Sequence, residues 1–324
     1  MKIALDIMGF ENPTKEAILA AKKFCHDYQD TQVILVGDKN LIKSKLCNNM
    51  SIIHTNNFIS MNDSPIQGLR KLNTSMQIAM QLTKDKKVDG FVSAGNTSCF
   101  TPLIKLTLDP INSNNSFGFM TYIPTTNGKG FNLVDTGANI HVSAQNLFDF
   151  ALMANQYVKT VRKISHPKIG ILNIGSESHK GYDYHIEANN LLKKNNEINY
   201  VGFIEPKELL LGIVDICVCD GFSGNICLKA FEGAFKTMSI LLKKGYAKPW
   251  NWIGAIGSLP MLKHIISKFN YKNYAGAIVL GVNGIAIKTH GSADRKQFYS
   301  ALKIANQCIS NNLLYNMQRI NYDK

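Results

Sequence analysis

The stretch "AIVLGVNGIAIKTHGSAD", Ala277 to Asp294, runs from an apolar, β-branched segment through Lys288 and His290 into a loop of small residues. An apolar run that breaks at glycine and hydroxyl residues and hands over to a helical pattern is the mark of a βα unit. The same pattern recurs in "SAGNTS" (Ser93–Ser98), "GSESHKG" (Gly175–Gly181) and "DGFSGN" (Asp220–Asn225). Four such units predict a parallel sheet with helices on its faces.

Working outward, the strand candidates are "KIALDI", "QVILVG", "SIIHT", "DGFVSAG", "FGFMTYI", "KIGILNIG", "VDICVCDG" and "AIVLGVNGIAI", the last taken as one strand. Amphipathic runs separate them; Cys227, Phe231, Ala234, Met238 and Leu241 share one helical face. Repeats, low-complexity tracts and Pro/Ser-rich linkers are not evident. The reading is a single domain over residues 1–324, a three-layer α/β/α sandwich with a mainly parallel, Rossmann-like sheet. Residues 231–272, with their tryptophan-bearing turn and second helical period at Leu262, Ile265, Ile266 and Phe269, predict a projecting helical hairpin.

The chain has 324 residues, of which 45% are hydrophobic, enough for a full core. Its seven cysteines form no CxxC pair, and Cys217 and Cys219 alternate within an apolar run; they are read as buried thiols in a reducing compartment, with no metal site. "IALDIMGF" is too short for a secretory h-region and carries Asp6, so the expectation is a cytoplasmic protein. No stretch supplies the roughly 20 apolar residues of a membrane span. The net charge of +13 points either to an acidic partner or to a compositionally basic surface, since Lys is abundant throughout.

In an open parallel sheet the four loops gather at the carboxyl edge, where ligands bind. Glycine lets backbone approach a ligand, and helix N-termini aim N–H groups at anions. GxGxxG after the first strand, GxxxxGK[ST] and GxSxG are all missing, which leaves a dinucleotide enzyme, a P-loop enzyme and a serine hydrolase without their motifs. What remains is a site for a small anion. Lys180 and Lys288 supply charge and His290 a proton or hydrogen bond; Asn96, Gly175, Ser223, Gly224, Asn225 and Ser292 supply donors or close backbone. Helix capping is the competing reading of Asn96, Ser223, Asn225 and Ser292.

These segments resemble the phosphate acyltransferases of bacterial phospholipid synthesis. The resemblance rests on "KIALDIMG", "DSPIQGLRKLNTSM", "VDGFVSAGNT", "LVDTGANI", "ILNIGSESHKG", "DGFSGN", "KAFEG" and "GAIVLGVNGIAIKTHGSAD", collinear from residue 2 to about residue 305. One departure is Met8-Gly9-Phe10-Glu11-Asn12-Pro13, one residue shorter than the family's MGGDxxP. The resemblance implies attack of inorganic phosphate on the thioester of an acyl carrier protein, without a cofactor, giving an acyl phosphate for phosphatidic acid synthesis. It implies a homodimer with a fold similar to phosphotransacetylase and the isocitrate dehydrogenase-like group, and catalytic roles for Lys180 and Asn225. His290 stands as a candidate acid for the leaving thiol.

Trp250, Trp252 and Ile253, flanked by Lys243, Lys244, Lys248 and Lys263, suit a peripheral contact with an anionic membrane, placing the protein at the inner face of the cell membrane. Packing of the same residues inside the protein is the alternative. Two rival functions fit the sequence less well. A metal-dependent hydroxyacid dehydrogenase of the same fold class needs an arginine cluster, whereas Arg70, Arg162, Arg295 and Arg319 are scattered. A basic nucleic-acid binder needs stacking or recognition modules that are not evident, so no nucleic-acid partner is expected.

Overall fold

The computed structural model describes residues 1–246, 257–258, 260–261 and 276–322. β1 (Lys2–Asp6), α1 (Lys15–Asp27), β2 (Gln32–Gly37) and β3 (Met50–His54) open the chain. α2 (Pro65–Arg70), α3 (Ser75–Lys84), β4 (Gly90–Ser93) and α4 (Thr97–Thr107) follow. Next come β5 (Gly118–Ile123), β6 (Phe131–Val134), α5 (Ala144–Thr160), β7 (Lys168–Leu172), α6 (Asp183–Lys194), β8 (Asn199–Ile204), α7 (Pro206–Leu209) and β9 (Ile216–Val218). The long α8 (Gly221–Tyr246) precedes β10 (Ala277–Leu280), β11 (Ile285–Lys288), α9 (Arg295–Ser310) and α10 (Leu313–Met317).

Alternation along the strands builds the three layers. Ile3, Leu5, Val92, Ile169, Ile171, Ile216, Val218 and Ile287 join one apolar cluster with α1, α5, α6 and α9. Ala4, Val36, Phe91 and Ala286 face the other way, into a cluster with α3 and α4. Cys217 and Cys219 share that second face with Cys227 of α8, as their spacing predicts. Helix starts follow local chemistry: Thr74 and Ser143 accept from the backbone N–H groups of Gln77 and Asn146, closing capping boxes on α3 and α5.

Among the described residues one sheet of eleven strands runs in the order β3-β2-β1-β4-β11-β10-β5-β6-β9-β7-β8. The pairings β3–β2, β2–β1, β1–β4 and β4–β11 are parallel, as are β6–β9, β9–β7 and β7–β8. Between the two groups, β11–β10, β10–β5 and β5–β6 are antiparallel. An odd number of reversals leaves the two parallel groups pointing in opposite directions. The sheet is therefore mainly parallel, but it has no single carboxyl edge, which corrects the expectation that all four glycine loops line one edge.

The reversal begins in the stretch read first. "AIVLGVNGIAI" is a hairpin rather than one strand, because Gly281 takes φ +87° and Gly284 N–H closes on Val282 O at 2.8 Å. The Asn-Gly pair between two apolar runs is a hairpin signal present in the sequence itself. The candidates also omitted β6, only four residues long, and β8, an edge strand interrupted by Gly202. Near its start α8 buries Gly221, Gly224 and Cys227, and no later residue of it is buried; Met238, Ile240 and Leu241 face solvent. The tip and return limb of the expected hairpin, with Trp250, Trp252 and Ile253, lie outside the described residues.

A Cβ on Gly281 would sit 1.8 Å from Ser116 O, in a backbone conformation that L side chains avoid. Gly281→Ala is expected to lower stability by about 2–3 kcal/mol in urea unfolding. A loss within about 0.5 kcal/mol would show that the turn adapts and does not hold the sheet reversal.

Candidate functional site

Register brings carboxyl ends of opposed strands to one level. Ile287 pairs with Ile278, Ile278 with Met120, Met120 with Val134, and Val134 with Val218. So β11, β6 and β9 all end within a residue of the same line, although β11 runs against the other two. Crossover helices cover the parallel groups, and α5 backs the middle of the sheet on one face. On the other face a cleft of about 380 Å³ opens over β5 and β10, between the start of α4 and α8.

Polar and apolar residues share the lining of the cleft: Lys288, Thr289, His290, Thr136, Gly137 and Asn225 together with Phe119, Ile123, Leu228, Phe231 and Phe235, and the charged Glu11, Lys229 and Glu232 beside them. Lys288 closes β11 and is 6% exposed. Its ammonium donates to Thr289 O and lies 5.9 Å from the centre of the Phe100 ring. Burial lowers the Lys288 pKa to about 8, opposed by the charge of Asp6 at the end of β1. Burial likewise pushes Asp6 up to about 6, against hydrogen bonds from Ser75, Ser93 and Met8 and the charge of Lys288. An ammonium in apolar surroundings with one backbone acceptor retains donors for an anion.

His290 is exposed, and its Nδ1 accepts from the Ser292 N–H at 3.2 Å and lies 2.8 Å from Ser292 Oγ. Because a backbone N–H only donates, the neutral ring carries its proton on Nε2. The short loop that departs from the family pattern braces this turn. Glu11 N–H donates to Gly291 O at 2.9 Å, and Asn12 Nδ2 donates to Ser292 O and Ala293 O at 2.7 and 3.1 Å.

Asn225 stands in the second turn of α8, past the cap, and its amide has no hydrogen-bond partner among the described residues. Its approach depends on close packing. Asp135 accepts from the backbone N–H groups of Phe119, Gly137, Ala138 and Asn139, which shapes the loop after β6. Burial raises the Asp135 pKa, and these bonds oppose the rise. A Cβ on Gly224 would meet Asp135 O at 2.0 Å, so glycine is what lets α8 lie against that loop.

The other sequence candidates have different surroundings. Asp220, not Ser223, caps α8, accepting from Ser223 N–H at 2.8 Å. Asn96 caps α4, and its Nδ2 is taken by the carbonyls of Ser60, Met61 and Asp63. Asp294 caps α9 through the N–H groups of Lys296 and Gln297. These side chains occupy first-turn donors that were expected to face an anion. Lys180 and Gly175 do not line the cleft: β9 lies between β7, whose loop carries them, and β6. The Lys180 side chain is 41% exposed, and its ammonium is held 2.8 Å from Glu177 Oε1, which it would have to leave to serve a substrate. Sequence reading missed Thr136, Gly137, Thr289 and the α8 aromatics as cleft residues, although "LVDTGANI" and "KTHGSAD" had both been marked.

Lys288→Met tests the burial of charge. Below about pH 8 the folded protein holds a desolvated ammonium, a cost absent from the variant, so the variant is the more stable. That advantage is expected to shrink as pH rises from about 8 to the unfolded value of 10.5. Urea unfolding of both proteins across this range checks it; a constant difference would mean that burial does not shift the Lys288 pKa and that its ammonium is not desolvated in the fold.

Comparison with known proteins gives a consistent neighbourhood. A family model described as "Fatty acid synthesis protein" matches residues 1–316. The phosphate acyltransferase of Malacoplasma penetrans (strain HF-2) is 48% identical over 322 residues, covering 98% of this chain and 97% of its own. Among solved structures, a phosphotransacetylase from Streptococcus pyogenes superposes with a TM-score of 0.64 at 16% identity, covering 96% of this chain and 94% of its own. A branched-chain phosphotransacylase from Enterococcus faecalis V583 gives 0.59 at 14%, covering 95% and 99%. At such identities these two show the fold alone, the one that the family resemblance implied.

Proposed function

The chain belongs to the fatty acid synthesis protein family, as an acyltransferase akin to the phosphate acyltransferases, and from that premise we propose that this cleft joins a fatty acyl group to inorganic phosphate. The observation that carries the reading is a single cleft lined by a buried cation, an unpartnered amide and aromatic side chains together. Phosphate binds at Lys288. The thioester carbonyl lies toward Asn225, whose amide donates to the oxyanion as the tetrahedral intermediate forms. The acyl chain runs along Phe119, Phe231 and Phe235.

A phosphate oxygen attacks the carbonyl carbon, the carbon–sulfur bond breaks, and the electron pair leaves with the carrier thiolate. No serine or cysteine lines the described cleft, which suits direct attack without an acyl-enzyme. In this reading the neutral His290 donates an Nε2–H hydrogen bond to the departing sulfur, which leaves as the thiolate and takes its proton from solvent. Lys180 stays paired with Glu177 outside this cleft and has no step in it. The donor is an acyl carrier protein, drawn to a chain of net charge +13, and the product feeds phosphatidic acid synthesis. A second copy covers apolar side chains such as Phe222 and Ile226 near the start of α8, which are exposed in the single chain.

Incubation with palmitoyl carrier protein is expected to release carrier thiol only when phosphate is present, with intersecting lines when both substrates are varied. Asn225→Ala is expected to lower the catalytic constant by roughly tenfold to a thousandfold. Release of thiol independent of phosphate, or parallel lines, would overturn the mechanism.

No helix of the described residues is long and apolar enough to cross a membrane. The site works beside one, with Trp250, Trp252 and Ile253 seated among anionic headgroups. Replacing Trp250 and Ile253 with Asp is expected to abolish sedimentation with phosphatidylglycerol vesicles and to leave activity on the soluble carrier unchanged. Loss of the fold in that variant would place these residues in the core instead.

A further inference from the structure

Among the described residues, two buried side-chain polar atoms have no hydrogen-bond partner, Asn155 Oδ1 and Thr289 Oγ1. Asn155 lies on α5, which packs on the opposite face of the sheet. Thr289 borders the cleft and is 3% exposed. Its other polar groups are satisfied: the N–H donates to Ser93 O at 2.9 Å, and the carbonyl accepts from the Lys288 ammonium. The hydroxyl alone is left over. Packing gives no reason for it, since valine has the same branched shape without the polar atom, and an orphaned buried hydroxyl weakens the fold. Its neighbour Lys288 is in the same condition, with an ammonium that has more donors than acceptors around it. Two consecutive residues at the end of one strand thus carry unmet donors beside one cavity.

We propose that the Thr289 hydroxyl is a ligand of the tetrahedral anion held by Lys288, donating to a phosphate oxygen once the cleft is occupied. The proposal rests on the reading of Lys288 as the phosphate site. It adds a neutral donor whose contribution is geometric: the ammonium attracts any anion, whereas a hydroxyl on a β-branched side chain has few rotamers and selects an oxygen in one direction. Binding need not break a bond within the protein, but the hydroxyl is closed off from solvent in the empty cleft, so the side chain has to turn toward the anion as it binds.

Phosphate titration of the full chain, followed by calorimetry and thermal unfolding, tests this without any acyl donor. Thr289→Val is expected to weaken phosphate binding roughly tenfold to a hundredfold, the worth of a hydrogen bond to a charged group. Its unfolding temperature without phosphate should equal or exceed that of the wild type, which separates a lost ligand contact from a damaged fold. Thr289→Ser, which keeps the hydroxyl, should bind within about threefold of the wild type. If Thr289→Val binds phosphate as the wild type does while Lys288→Met is weakened, the Thr289 proposal fails and the reading of the site stands. If Thr289→Val unfolds at a clearly lower temperature without phosphate, the hydroxyl has an internal partner and the proposal is overturned. If Lys288→Met binds as the wild type does, the reading of the site fails, and this proposal with it.

Discussion

The pairing of β10 with β11 and β5 is the constraint on which the rest of the molecule depends. Parallel strands need crossover helices, and those helices cover the sheet wherever they run. Antiparallel neighbours are joined by short turns and bring no such cover. Where β11, β10, β5 and β6 meet in antiparallel register, one face of the sheet is left open, and the carboxyl ends of two oppositely directed groups meet beside it. The cleft is the consequence of a change in strand direction, with the loops after β11 and β6 in its lining.

Close backbone packing then sets the distances inside the cleft. Asp135 gathers four backbone N–H groups into a tight loop, and the glycines of "DGFSGN" let α8 lie against it. That contact carries Asn225 into the cleft without engaging its amide. On the opposite wall, Glu11 and Asn12 take the carbonyls of residues 291–293, steadying the turn of His290. Against these well-satisfied supports, Lys288 and Thr289 stand out as groups whose hydrogen bonding the fold leaves incomplete. A protein keeps such groups at a cost in stability where a ligand completes them.

The helix α8 joins three environments along one axis. Its first turns are buried by glycine contacts, its middle lends Leu228, Phe231 and Phe235 to the cleft, and its last turns hold Met238 and Leu241 in solvent. Apolar side chains thus continue along α8 from the cleft to the later turns of the described helix.

Much of this was legible before any tertiary contact was known. Strand–glycine–helix handovers depend on local propensities and on backbone freedom, so the α/β layers, the βα loops and the alternation of Cys217 and Cys219 could be read from residue order alone. The Asn283-Gly284 turn was legible too, and joining the strands on either side of it was a misreading of a signal that was there. Strand direction across the sheet is a different matter, because it depends on which strands pair, and pairing is a long-range choice made by the summed burial of both faces. Only the tertiary structure decided that "GSESHKG" with Lys180 stays out of the cleft while Asn225 and Thr136 enter it. Only it decided that Thr289, an ordinary residue in the sequence, has no partner for its hydroxyl, since whether a polar atom is satisfied depends on neighbours brought together from distant parts of the chain.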